Sequence, residues 1–231
     1  MTNFPQDWQR IAAELDEQGW AVVAGLLDQP ECEEIASLYD RDENFRSKVV
    51  MARHGFGRGE YRYFAYPLPP SVARMRCVLY SPLAIIANGW HQRLGLESRF
   101  PKDHANYLIH CHQSGQTRST PLLLSYGPGD YNCLHQDLYG GEVFPLQVAM
   151  LLSEPGHDFT GGEFVLTEQR PRMQSRVQVV ALKKGDGVIF AVNSRPTKGR
   201  RGDYRLTMRH GVSRLHTGRR QVLGLIFHDA V

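Results

Sequence analysis

Cysteine is scarce in this chain and shows no pattern. Four residues (Cys32, Cys77, Cys111 and Cys133) are spread over 231 positions, with no Cys-x-x-Cys pair. That distribution supplies neither a disulfide framework nor a cysteine-ligated zinc site. Long apolar runs are also missing. Stretches such as Ala21 to Leu27 and Val148 to Leu152 fall well short of the about 20 residues a membrane-spanning helix requires. Residues 1–20 lack a basic start followed by an apolar core, so no secretory leader is expected. Neither internal repeats nor low-complexity tracts occur, and no linker interrupts the chain. Hydrophobic residues make up 42% and charged residues 22%, which excludes wholesale disorder. These absences point to a cytoplasmic protein with no membrane association, folded as one domain over residues 1–231. The oligomeric state is not legible from the sequence.

The net charge is only +3, but it is unevenly distributed. From Glu168 to Arg220 there are 14 Lys and Arg against 3 acids, densest between Arg195 and Arg205. Such a run is either a solvated face or a surface for an anionic partner.

Two halves differ in character. Residues 1–104 read as a mainly helical lead-in. In Asp7 to Gly19, Trp8, Ile11, Ala12 and Leu15 share one stripe, with Asp7 as cap and Gly19 as stop. A short strand is expected over Trp20 to Leu27. A second helix is expected over Gln29 to Tyr39, with Pro30 in its first turn. The glycines of residues 51–70 suggest a loop or an exposed hairpin. A further helix is expected over Ser81 to Leu94, with Pro82 at its start. From residue 105 onward, short apolar runs alternate with Gly, Pro and Asp turns. They are Leu122 to Tyr126, Leu146 to Leu152, Glu163 to Leu166, Val177 to Leu182, Val188 to Val192, Arg205 to Val212 and Val222 to Phe227. That spacing predicts a mainly β fold, a jelly roll, with a helical layer packed on it.

The chemistry gathers around one short motif. His135-Gln-Asp137 is the chain's one His-x-Asp, and side chains two apart on an extended strand point the same way. Two imidazoles and one carboxylate on one face of a metal leave the opposite face open, as mononuclear iron(II) oxygenases require. Among ten histidines a single such pair is weak on its own; its surroundings give it weight. Leu122 to Tyr126 and a Gly-Pro-Gly turn precede it. Gly161-Gly-Glu163, Gly185-Asp186, His210 and Gly218-Arg219-Arg220 follow.

This order resembles the 2-oxoglutarate/Fe(II)-dependent dioxygenase superfamily, above all its prolyl-hydroxylase-like branch, over residues 120–231. More narrowly it resembles a bacterial family assigned nucleic-acid substrates by analogy with AlkB-like demethylases. The resemblance implies a double-stranded β-helix core over residues 105–231. It implies His135, Asp137 and His210 as iron(II) ligands. It implies Arg220 as the residue gripping the 2-oxoglutarate carboxylate, with the Tyr126 hydroxyl beside it. A guanidinium suits that task because it binds a carboxylate bidentately. The implied partners are 2-oxoglutarate and O2, with hydroxylation of a substrate C–H bond as the reaction.

Each residue has a plainer reading. His210 is otherwise a core histidine with satisfied hydrogen bonds. His216 and His228 are rival distal ligands, although Arg219 lies only three residues beyond His216, too close for an intervening turn. His110 and His112 have zinc-like spacing in what reads as a polar loop, and are expected at the surface. Tyr126 and Tyr131 are equally half-buried strand tyrosines. For the substrate, a nucleic acid held by the 195–205 segment near the site mouth, with Tyr61, Tyr63, Phe64 and Tyr66 stacking on a base, stands beside a prolyl or other peptide hydroxylase. In the second case residues 54–66 close as a lid. Core packing is the plainer expectation for those four aromatics. A metal-binding jelly roll without turnover and a cupin-type metal enzyme without a keto acid are the remaining alternatives.

Overall fold

Strand alternation explains the architecture. In the computed structural model, which describes residues 7–200 and 202–231, the central strands have two buried faces with different neighbours. On one face Leu123, Val148, Met150, Leu223 and Leu225 join the helices in the largest core cluster. On the other, Leu124, Tyr126, Leu151 and Val222 turn toward the opposite sheet. Strands buried on both sides read in sequence as continuous apolar runs, which is how these appear.

The elements in chain order are α1 (Trp8–Gln18), β1 (Trp20–Val23), α2 (Gln29–Ser37), β2 (Phe45–Val50), β3 (Gly57–Arg58), β4 (Glu60–Phe64), α3 (Pro70–Arg93) and α4 (His104–Gln113). Then follow β5 (Leu122–Tyr126), β6 (Tyr131–His135), β7 (Leu146–Leu151), β8 (Phe159–Gly161), β9 (Phe164–Gln169), β10 (Arg176–Val180) and β11 (Gly187–Ala191). The last are β12 (Ser194–Gly199), β13 (Gly202–Val212), β14 (Leu215–Gly218) and β15 (Arg220–Leu225). The major sheet runs β1-β11-β7-β15-β5-β4-β2. The minor sheet runs β10-β9-β13-β6-β3, with β12 paired to β13, and β14 pairs with β8. Phe164, Leu166 and Val180 of the minor sheet pack on Val188 and Phe190 of the major sheet, closing a jelly roll. This is the expected mainly β fold with helices against it.

The helical face is built as the sequence suggests. Asp7 caps α1 by accepting from the Arg10 amide at 3.0 Å, and Gly19 ends it with φ 83°. Ile11 and Leu15 are fully buried, each stabilising the fold by about 1.5–3 kcal/mol. Asp28 and Glu31 form a reciprocal capping box on α2. A buried ion pair, Arg76 to Asp229 at 2.8 Å, fastens α3 to the C-terminal segment.

Several expectations need correction. The mainly helical lead-in over residues 1–104 holds α1 to α3, but it also supplies β1 to β4, and three of these extend both edges of the major sheet. Residues 51–59 do form a largely exposed connection between the antiparallel strands β2 and β4, but residues 60–64 lie between β2 and β5. The first strand stops at Val23, before Gly25 at φ 59°. The helix expected from Ser81 begins at Pro70, so Pro82 sits inside it. Pro82 leaves the carbonyl four residues back unbonded, at Val78 on the exposed side where water can reach it. His110 and His112 lie on α4, exposed as expected but not in a loop. In the basic segment, Ser194–Gly199 of β12 pairs with the first half of β13 as a hairpin.

Candidate active site

Two strands of the minor sheet bring the histidines together. In the pairing of β6 with β13, His135 and His210 are direct partners, and their ring centroids are 4.2 Å apart. Asp137 lies just past the end of β6. Its Oδ1 is 3.4 Å from His135 Nε2 and its Oδ2 is 3.3 Å from His210 Nε2. One ligand atom from each residue falls within 4.8 Å of the others. Gln136, between His135 and Asp137, donates to the Asn193 and Met208 carbonyls at 3.0 and 2.8 Å and so anchors this turn to the sheet.

The protonation states favour a divalent cation. His135 Nδ1 lies 2.8 Å from the Cys133 carbonyl, which fixes its proton there and turns the Nε2 lone pair inward. Burial holds His210 below the usual imidazole range, which favours the neutral ring. Burial opposes the charged form of Asp137, but the two neighbouring histidines outweigh it and hold the carboxyl well below its ordinary value. Burial likewise opposes a charged His135, yet Asp137 raises its pKa. Two imidazoles and a carboxylate with converging lone pairs form a donor set that fits Fe(II). Tyr139 donates its hydroxyl to Asp137 Oδ1 at 2.8 Å.

The major sheet supplies the facing wall. Arg220, the first residue of β15, is the direct partner of Tyr126, the last residue of β5. Both are buried, and the guanidinium carbon lies 5.7 Å from the Tyr126 ring centroid. Arg220 Nε has no hydrogen-bond partner among the described residues. Burial lowers its pKa to about 10, with only Tyr126 and Glu163 opposing that shift. A buried cation with donors to spare is the complement of a carboxylate ligand. Burial also raises the Tyr126 pKa, keeping its hydroxyl a neutral donor. Between the walls is a cavity of about 370 Å³, lined among others by His135, Asp137, His210, Arg220 and Tyr126.

The rival residues separate cleanly. His216 is exposed on β14. His228 is buried, and its Nδ1 accepts from the Phe144 amide at 3.2 Å. Tyr131 lies under Arg214 rather than in the cavity. Of the four aromatics, Tyr61 lines the cavity, whereas Tyr63 and Phe64 are core and the Tyr66 hydroxyl is bound to Asp229 and Arg76. Arg195 is buried against Glu168 at 3.1 Å, and it also donates to the Asp16 carbonyl. The hairpin tip at Gly202 is eight residues along β13 from His210, about 25 Å for an extended strand. The basic hairpin is therefore not at the site mouth, contrary to expectation. Sequence reasoning also missed Tyr139, Asn132 and Gln147. Asn132 lies 3.5 Å from the Tyr126 hydroxyl, and Gln147 is buried with its Nε2 unpartnered in the cavity wall. A polar Gln inside the apolar run Leu146–Leu151 was the available signal.

This fold and site define the class. The chain superposes on a Pseudomonas putida prolyl-4-hydroxylase with a TM-score of 0.59 at 14% identity, covering 96% of this chain and 100% of that one. A Burkholderia pseudomallei oxidoreductase of the 2OG-Fe(II) oxygenase family gives 0.57 at 16%, covering 98% and 94%. A Trichoplax adhaerens prolyl hydroxylase in complex with a hypoxia inducible factor peptide fragment gives 0.59 at 16%, covering 96% and 89%. At these identities the likeness shows the fold, the jelly roll of 2-oxoglutarate oxygenases. An uncharacterized protein of Mycobacterium tuberculosis, in strains CDC 1551 and H37Rv, is 48% identical over 167 residues, 72% of either chain. Residues 59–230 match the model of the Oxygenase-NA family, described as an oxygenase catalysing oxidative methylation of damaged DNA. The chain belongs to this oxygenase family.

Proposed function

We propose that this chain is an Fe(II)- and 2-oxoglutarate-dependent dioxygenase whose substrates are methyl groups on nucleic-acid bases. The observation that carries the proposal is the pairing, within one cavity, of the His135–Asp137–His210 triad with the buried, unpartnered Arg220. His135, Asp137 and His210 hold the metal. Arg220 binds the far carboxylate of the keto acid, and the Tyr126 hydroxyl supports the same group. Iron, keto acid and O2 together supply the oxidising power; the protein orients the reactants and shields them from water. Each turnover splits O2. One atom enters succinate as 2-oxoglutarate loses CO2, and the other enters the substrate C–H bond. A methyl carbon hydroxylated on a ring nitrogen becomes a hemiaminal, which releases formaldehyde, so at such a site the oxidation removes the methyl group.

The family's link to DNA supports the nucleic-acid substrate. So do exposed cations near the mouth. Arg53 and Arg58 flank Gly55 and Phe56, which line the cavity. All of residues 1–231 are taken as one oxygenase domain, since α1 to α4 and the major sheet share one core cluster.

A succinate-release assay tests the assignment. With Fe(II) and 2-oxoglutarate, methylated oligonucleotides are expected to stimulate succinate formation above the uncoupled rate, with matching formaldehyde. Stimulation by proline-containing peptides alone would move the activity to peptide hydroxylation. No 2-oxoglutarate consumption with any substrate, despite Fe(II) binding, would leave a metal-binding module without turnover.

A further inference from the structure

Arg220 borders two cavities, not one. Besides the active-site cavity, it lines a second of about 320 Å³. Phe159, Gly162, Glu163, Val180 and Leu182 contribute to that second space, and Arg220 with Phe164 forms the wall between the two cavities. Three observations bear on how firmly that wall is fixed. The backbone of Arg220 is held by its pairing with Tyr126, but Nε has no partner and no acid holds the guanidinium among the described residues. Its stem lies against Gly162, where a Cβ would come within 2.6 Å of Leu215 Cδ1 and 3.1 Å of Arg220 Cδ. Gly162, with φ 65°, is therefore a slot for the stem that any other side chain would fill. Beyond the stem, the space is lined mainly by apolar side chains, with Glu163 the one acid among them.

A keto acid chelated at the metal end has its length set by the position of the cation at its far end. Where that cation is pinned by carboxylates, a longer acid clashes. Here the cation is unpinned and backed by open volume. One added methylene extends a chain by about 1.3 Å, less than the reach of the three-carbon arginine stem. We propose that the cosubstrate site takes keto diacids one carbon longer than 2-oxoglutarate, specifically 2-oxoadipate, with Arg220 withdrawing toward the second cavity. This rests on the dioxygenase assignment above. In turnover the balance is the same: 2-oxoadipate loses CO2, gains one atom of O2 to become glutarate, and the other atom enters the substrate.

The test is ligand binding, not turnover. The full chain loaded with Mn(II) is titrated with 2-oxoglutarate, 2-oxoadipate and oxaloacetate, following thermal unfolding. 2-Oxoadipate is expected to bind within about tenfold of 2-oxoglutarate, and oxaloacetate, one carbon shorter, far more weakly. Leu182→Trp, and independently Thr160→Trp, narrow the second cavity without touching the triad. Each is expected to retain the 2-oxoglutarate shift and weaken 2-oxoadipate at least tenfold. If 2-oxoglutarate stabilises the wild type and 2-oxoadipate binds a hundredfold more weakly or not at all, the length inference is overturned while the dioxygenase assignment stands. If both plugged variants fold and bind 2-oxoadipate like the wild type, Arg220 does not withdraw into that space and the proposal also falls. If 2-oxoglutarate itself gives no shift, the cosubstrate assignment fails, and this inference with it.

Discussion

His210 lies directly opposite His135 in the β13–β6 pairing, so the two imidazoles are set by sheet register rather than by loop conformation. A one-residue slip would carry either ring to the other face of its strand. Asp137, in the turn pinned by Gln136, closes the triad over both Nε2 atoms. Replacing any of the three by alanine is therefore expected to remove Fe(II)-dependent stabilisation and to lower succinate formation by at least a hundredfold, with the metal-free protein still folded. The measurements are a metal titration followed by thermal unfolding, and a succinate assay with added Fe(II). Wild-type turnover by His210→Ala with excess iron would remove it from the ligand set.

Tyr139 donates its hydroxyl to Asp137 Oδ1 at 2.8 Å, while its ring stands edge-on to Tyr63. It is a positioning residue, because partners behind a ligand fix its orientation and typically change metal affinity 10- to 100-fold. Tyr139→Phe keeps the ring and deletes the donor. The expected outcome is about tenfold weaker Fe(II) or Mn(II) binding with little change in the 2-oxoglutarate KM at saturating metal. A variant with unchanged metal affinity and a raised 2-oxoglutarate KM would place the hydroxyl on the keto acid instead.

How legible the site was depended on periodicity. His135, Asp137, His210 and Arg220 sit at strand ends, where an ordered series of turns and strands marks them in sequence. Tyr126 is found the same way, as the last residue of an apolar run. Tyr139 and Gln147 were missed because their roles come from three-dimensional convergence. Tyr139 follows the motif by two residues in an irregular turn, and Gln147 is hidden in a strand that packs helices on its other face. The 195–205 hairpin was misread for the converse reason. Charge density is visible in sequence, but the burial of Arg195 against Glu168 and the distance of the tip from His210 are not. Residues 60–64 looked like a glycine-flanked loop because β5, which covers their second edge, is distant in sequence.

Acid stability has a separate source, away from the metal. Burial, aided by the nearby Arg76 charge, lowers both His104 and His228 from 6.5 to about 4. The unfolded chain therefore binds protons between pH 6.5 and 4 that the native state refuses. Stability is present above the unfolded pKa and is lost as pH falls through this window. Each histidine contributes up to about 3 kcal/mol by linkage, and less than additively because both face Arg76. His104 bonds the Phe227 carbonyl at 2.8 Å, a contact a glutamine amide can reproduce without titrating. The melting temperature of the wild type is expected to fall from pH 6.5 to 4.5, and that of His104→Gln to fall less steeply. Identical slopes would assign the acid loss to other groups.

Nucleic-acid binding should depend on cations by position rather than by density. Phosphate contacts strengthen binding uniformly across sequences, and each steepens the salt dependence by roughly one unit of slope. Arg53 and Arg58 are exposed beside Gly55 and Phe56, which line the cavity containing the triad. Lys198 and Arg200 are exposed on the hairpin, at the end of β12 and just beyond it. They lie near the β13 end that is about 25 Å from His210 along the strand. A methylated oligonucleotide of a few nucleotides, with its modified base at the triad, reaches the first pair and not the second. Arg53→Ala with Arg58→Ala is expected to weaken binding of such an oligonucleotide at least tenfold and to flatten its salt dependence. Lys198→Ala with Arg200→Ala is expected to leave both within twofold. The reverse outcome, affinity lost at the hairpin and kept at the 53–58 segment, would mean that the substrate approaches across β12 and β13, and that the cations at the mouth are solvated surface.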